Sequence, residues 1–353
     1  MFNTKRGQGW CTPVRGGTPV CQKGGGTCGA SARSAFLHRL RMKVLGIGAT
    51  GFIGLRVVSR LIEQGHDVAV LHRGKTAAKL PDGVRRIVGN RDRLRGSLTA
   101  LESFAPDVVL DAILYTEHQA RELVETCRGK TSRIVALSSA DVYRNYDGLR
   151  GAPTHAPDPV PLAEDAPCRG SRYPYREADL EFEYAHDYEK ILVEQVLLTD
   201  AGITSTVLRL PAVYGPADRQ HRLLPYLRQM DNRQNLYLEH TQATWRWTRG
   251  FVVNVADAIA LAVTDPRSAG RVYNVGEEPA LTERQWVERI GAAAGWKGEV
   301  VVLPEGRVAD QESLDWRYSL WTDTTRIRRE LGYAERVSLP EALERSVEWE
   351  RSM

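Results

Sequence analysis

The chain has 353 residues, 42% of them hydrophobic and 26% charged, with 48 Lys and Arg against 44 Asp and Glu. This composition suits a globular protein with a sizeable buried core, and no apolar run approaches the roughly 18 residues that would suggest a membrane span. Five cysteines are too few for a disulfide scaffold, which favours a reducing, cytoplasmic setting.

The charge is unevenly spread. Residues 1–41 carry seven basic side chains and no acid, with eight of the 31 glycines and three of the five cysteines (Cys11, Cys21, Cys28). The remainder holds 41 basic against 44 acidic residues, a net −3. The segment shows no helical or strand periodicity, and its glycine runs make it a poor core former. It lacks the apolar stretch of a secretory signal, and its glycine content argues against an amphipathic transit helix. The expectation is a disordered or non-native basic tail ahead of a start at Met42. Its cysteines lack CxxC pairing and a histidine pair, so no metal site is expected.

From Lys43 the pattern alternates strands and helices. Strands are expected at 43–47, 67–71, 85–88, 107–110, 133–137 and 205–210, and helices at 53–64, 117–127 and 191–198. This rhythm implies parallel βαβ units and a doubly wound sheet over 42–215. Beyond Pro216 the pattern changes to helices at 222–230, 255–263 and 283–294 and short strands at 271–275 and 299–303. A smaller α/β substrate lobe over 216–353, partly interleaved with the first domain, is therefore expected. The Pro- and Gly-rich stretch 149–172 is expected to cover the site.

The strongest motif is Gly46-Ile47-Gly48-Ala49-Thr50-Gly51-Phe52-Ile53-Gly54, between a strand and an amphipathic helix. In that setting Gly48 makes the tight turn, Gly51 lets the backbone approach a pyrophosphate, and Gly54 permits close helix–strand packing. The helix N-terminus, with Thr50, Phe52 and Ile53 around it, attracts the phosphates. At the end of the second strand an NAD site would place Asp or Glu. This chain has His72-Arg73-Gly74-Lys75. Arg73 and Lys75 suit a 2′-phosphate, so NADP(H) is favoured over NAD(H); the alternative is a solvated basic loop.

The segment Gly48–Gly54 resembles the extended short-chain dehydrogenase/reductase superfamily, the NAD-dependent epimerases and dehydratases, and further segments agree in order. Leu137-Ser138-Ser139-Ala140-Asp141-Val142-Tyr143 is similar to the family's strand-end serine motif. Lys190 to Gln195 is similar to its catalytic-lysine helix, and Leu208 to Pro216 to the segment passing the nicotinamide. Arg249 to Ala258 and Asp323 to Tyr333 resemble its substrate-lobe and C-terminal signatures. The resemblance implies a Rossmann fold and a cofactor site completed by Asn90, Lys190 and Pro211. Ser139 would hydrogen-bond the reacting oxygen, and Lys190 would hold the nicotinamide ribose and lower the pKa of the acid/base. An i,i+4 surface pair of Lys190 with Glu194 is the competing reading.

The family's acid/base is a Tyr four residues before the lysine, and here that position is His186. On a regular helix His186 lies about 40° from Lys190, whereas Tyr188 and Tyr184 lie about 200° and 240° away. His186 is thus the expected partner, able to shuttle protons near neutral pH, with Tyr188 the candidate should the helix begin irregularly near Asp187.

On the substrate side the resemblance assigns Tyr143 and makes Arg249 a diphosphate-gripping arginine, while Trp247 could stack a sugar or aryl group or serve lobe packing. The function implied is hydride transfer at a hydroxyl or carbonyl carbon of a sugar or sugar nucleotide. The alternative is a cofactor-binding protein without redox turnover, similar to the chloroplast stem-loop RNA-binding relatives. The net −3 makes nucleic acid an improbable partner. A homodimer is expected through the apolar run of residues 191–198, though a monomer core could equally use it.

Overall fold

The computed structural model describes residues 41–74, 79–152, 155–178, 182–232, 234–307 and 314–353. Lys75 and most of the basic tail lie outside the described residues. The first half runs β1 (Lys43–Ile47), α1 (Phe52–Glu63), β2 (Asp67–His72), β3 (Arg85–Val88), α2 (Leu98–Phe104), β4 (Val108–Asp111) and α3 (Glu117–Cys127). It continues with β5 (Arg133–Ser139), α4 (Arg144–Leu149), α5 (Lys190–Thr199), β6 (Thr204–Leu210) and β7 (Ala212–Tyr214). Then follow α6 (Leu224–Asp231), β8 (Leu236–Glu239), α7 (His240–Thr244), β9 (Arg249–Phe251) and α8 (Val252–Thr264). The last elements are β10 (Val272–Asn274), α9 (Glu283–Ala294), β11 (Val300–Leu303), α10 (Thr325–Leu331) and α11 (Leu339–Arg351).

Seven strands form one parallel sheet in the order β10-β6-β5-β4-β1-β2-β3. Alternate residues serve its two faces, because side chains alternate along a strand. Val68 and Val70 of β2 join the core beneath α1 and α8, and Ala69 and Leu71 join the core beneath α3 and α5. Both faces are covered, so the strands read as near-continuous apolar runs. Each fully buried Val or Leu contributes roughly 1.5–3 kcal/mol. The expected doubly wound sheet is the fold observed.

Two elements expected in a separate lobe belong to this sheet layer. The strand at 272–274 pairs with β6 as the edge strand. The helix α8 packs against α1 beneath the sheet, and ten of its 13 residues are buried. Its apolar character all round marked a helix enclosed on every side, which sequence spacing alone does not distinguish from a lobe helix. Residues 41–353 form one compact unit, with the small pairs β8–β11 and β7–β9 completing the C-terminal part. In α5 the apolar run places Ile191, Val193 and Leu197 in the core and leaves Leu198 exposed. Among the described residues no helix is long and apolar enough to cross a membrane.

Candidate active site

A cleft of about 630 Å³ opens at the C-terminal ends of the strands, the edge at which open α/β sheets bind ligands. Gly48, Thr50, Gly51, Phe52 and Ile53 form one wall. Gly48 has φ +67°, which an L side chain rarely adopts. A Cβ on Gly54 would stand 2.5 Å from the Ala49 Cα, so this glycine lets α1 approach the turn, whereas a Cβ on Gly51 would meet open space. The first turn of α1 carries no acidic residue, and its N–H groups are therefore available to an anion. Gly48 and Gly54 thus show the tight turn and the close helix approach that their spacing implied.

At the end of β2, Arg73 lines the cleft with its guanidinium 3.2 Å from the Glu183 carboxylate. Asn90 also lines it, its side-chain oxygen accepting from the Asp92 N–H. Asp92 in turn accepts from the Tyr184 hydroxyl at 3.0 Å. The expected cover, residues 149–172, supplies no described residue to the lining. That wall comes instead from Phe182, Glu183, Tyr184 and Tyr188.

The catalytic end departs from the helical extrapolation. Residues 185–187 form a single 3₁₀ turn, Tyr188 and Glu189 are extended, and α5 begins only at Lys190. The 40° relation of His186 to Lys190 therefore does not exist. His186 lies outside the cleft, its side chain 72% exposed and Nδ1 2.8 Å from the Asp187 carboxylate. The extended step turns Tyr188 inward instead. Its hydroxyl donates to Asp141 at 2.8 Å, and Ser139 lines the same cleft. Lys190 donates to the Leu114 and Leu137 carbonyls, both at 2.7 Å, with the Tyr115 ring centroid 4.8 Å from its Nζ. Burial lowers its pKa to about 8, against the raising influence of Asp141, Asp111 and Glu194.

The surface pair of Lys190 with Glu194 is not formed. Lys190 is buried, and Glu194 pairs with Arg209 at 2.8 Å. Ser139, Tyr188, Lys190 and Pro211 thus converge on one cleft with the glycine turn.

The residues assigned to substrate do not join them. Tyr143 is fully buried, donating to Asn274 at 2.6 Å and accepting from Arg209 at 3.0 Å, so it offers nothing to a ligand. Arg249 pairs with Glu283, and its guanidinium lies 4.5 Å from the Trp286 ring centroid. With Trp247 it lines a second cavity of about 340 Å³ that shares no lining residue with the first. Trp245 packs against Trp316 and donates to the Tyr318 carbonyl, which is lobe packing. Asp141, Tyr115 and Tyr175 escaped the sequence reading. The available signal was a lone carboxylate within the otherwise uncharged run 138–143.

Residues 44–276 match the NAD dependent epimerase/dehydratase family, and the chain belongs to that family. It is 28% identical over 332 residues to a dTDP-glucose 4,6-dehydratase of Streptomyces griseus, covering 86% of this chain and 92% of that protein. A second dTDP-glucose 4,6-dehydratase, from Streptomyces niveus, is 35% identical over 159 residues, 42% of this chain and 43% of its own length. A 2'-dehydrokanamycin reductase of Streptomyces kanamyceticus is 25% identical over 284 residues, 76% of this chain and 72% of that protein. The fold matches the UDP-glucose 4-epimerase of Thermotoga maritima with a TM-score of 0.65 at 21% identity, over 88% of this chain and 99% of the other.

Proposed function

We propose that this protein is an NADP(H)-dependent enzyme that oxidises or reduces a hydroxyl or carbonyl carbon of a sugar or sugar nucleotide. The observation that carries this reading is the convergence of the glycine turn, Ser139, Tyr188 and Lys190 on one cleft at the strand ends. The site fits a nicotinamide dinucleotide: the open side of Gly51 and the acid-free helix terminus receive a pyrophosphate. Arg73 meets Glu183 only in an exposed, weakly held pair, unlike the buried Arg249–Glu283 pair, and with no acid at the end of β2 itself it favours a 2′-phosphate. The relatives named as dehydratases and a reductase support a carbohydrate substrate.

A bound nicotinamide would supply or accept the hydride. Lys190 would hold the ribose, Ser139 would donate to the reacting oxygen, and Tyr188 would exchange the proton in the role first assigned to His186. With Arg249 committed to Glu283, a diphosphate would find no free arginine at that position. No observation favours the RNA-binding alternative.

The test is titration with NADPH and NADH, followed by quenching of protein fluorescence. Tighter binding of NADPH is expected, NADH preference would overturn the NADP assignment, and binding of neither would overturn the reading. Turnover is then assayed with dTDP-glucose and UDP-glucose.

A further inference from the structure

Behind the wall of the cleft lies a carboxylate that the family resemblance leaves without a task. Asp141 sits in the short turn after β5 and is 6% exposed. Its Oδ2 accepts from the Tyr188 hydroxyl at 2.8 Å and from the Tyr175 hydroxyl at 3.1 Å. Its Oδ1 is buried with no hydrogen-bond partner among the described residues. A carboxylate buried with one oxygen unsatisfied is costly, and a purely structural residue here could be apolar or an amide. Neither nearby cation satisfies it: Arg169 donates to the Glu189 carboxylate and to the Ser171 and Asp141 backbone carbonyls, and Lys190 donates to two backbone carbonyls and meets Tyr188 only across its ring, at 5.6 Å.

We propose that Asp141 is the proton acceptor behind Tyr188, so that the two form a relay between the substrate oxygen and the protein interior. This rests on the function proposed above. When an alcohol is oxidised, the substrate O–H bond breaks as a new Oη–H bond forms on Tyr188. The hydrogen already on Tyr188 passes to Asp141 Oδ2, forming a carboxylic acid. The electron pair of the substrate C–H bond leaves with its hydrogen as hydride to the oxidised nicotinamide cofactor, so atoms and electrons balance. Reduction of a carbonyl runs the same transfers backward.

The surroundings are consistent with this division of the proton. Burial raises the Asp141 carboxyl above the ordinary range, while Arg169, the two tyrosine hydroxyls and Lys190 oppose that rise. Tyr188 is pushed well above an ordinary phenol, by burial first and by Asp141 next, instead of being lowered by Lys190 as the resemblance implied. Burial first, and the charge of Asp141 next, raise the Tyr146 hydroxyl of α4 as well. At rest the proton therefore stays on the phenol, and the carboxylate beside it is a better base than a solvated one. Asp141 acts only through Tyr188, since it does not line the cleft.

The test needs no substrate. Infrared difference spectra of the full chain are recorded as pH rises from the ordinary carboxylate pKa, about 4, to neutrality. They are compared for the wild type, Asp141→Asn and Tyr188→Phe. The expected result is a protonated-carboxyl C=O band that titrates above about 4, vanishes in Asp141→Asn and shifts in Tyr188→Phe. A spectrum unchanged by Asp141→Asn overturns the relay, as does a band that Tyr188→Phe leaves in place. If Asp141→Asn does not fold, the Tyr188→Phe shift decides alone. Failure of NADPH to bind overturns the reading of the cleft and leaves the infrared result standing, so the two failures are distinguishable.

Discussion

Glu189 accepts two hydrogen bonds from the Arg169 guanidinium, at 2.8 and 2.9 Å, and this buried pair sets where α5 begins. The same carboxylate caps the helix by accepting from the Ile191 N–H at 2.9 Å and also accepts from the Tyr173 N–H at 2.7 Å. With its carboxylate so held, Glu189 stays extended, and the helix cannot continue back through Tyr188 to His186. The position of the phenol in the cleft is thus decided by a contact made outside the cleft.

Removing either partner leaves a buried, uncompensated charge. Arg169→Ala or Glu189→Ala is expected to cost about 3–5 kcal/mol, measured by denaturant unfolding. Loss of less than about 1 kcal/mol would show that the pair does not anchor this segment.

The exchange of His186 for Tyr188 is tested by turnover. Tyr188→Phe is expected to lower kcat by roughly 10²–10⁴-fold, the usual worth of a general acid or base. His186→Ala should leave it within about twofold, because an exposed side chain away from the cleft rarely matters. The reverse pattern would restore the helical reading.

Arg73 is expected to select the cofactor. Arg73→Ala should weaken NADPH binding about tenfold, a charge-assisted hydrogen bond at a partly exposed position, and leave NADH within about twofold. Equal loss of both would remove Arg73 from the 2′-phosphate site. Isothermal titration distinguishes these outcomes.

Lys190 carries a pH prediction of defined sign. Its pKa falls from 10.5 to about 8 on folding, chiefly through burial. Between those values the unfolded chain holds the proton that the folded chain has lost, so this residue's contribution makes stability rise with pH across that window. The penalty is fully present below about 8. Binding runs the other way, because the ammonium that would grip the ribose is lost above about 8. NADPH affinity should therefore decline past that pH in the wild type, and Lys190→Met should abolish the dependence.

Close packing at the glycine turn gives the last prediction. A methyl group on Gly54 would collide with the Ala49 backbone, so Gly54→Ala should cost about 1–3 kcal/mol and weaken both cofactors alike. Unchanged unfolding would mean that the turn has room to relax.

Much of the fold was legible because its signals are local. Val68, Val70 and Leu71 form an apolar run, and the spacing of Gly48, Gly51 and Gly54 reports backbone constraints that hold wherever a strand feeds a helix through a tight turn. The positions of Ser139 and Lys190 were legible the same way, each at the end of a well-marked element that borders the cleft. Tertiary structure decided the partners. The phase from His186 to Lys190 has meaning only within a continuous helix, and Arg169, 20 residues before Glu189, ends that helix. Tyr143 was withdrawn into the core by Asn274, 131 residues away, and Arg249 was neutralised by Glu283, 34 residues away. These contacts join groups far apart in the chain, and periodicity carries no information about which buried donor meets which acceptor.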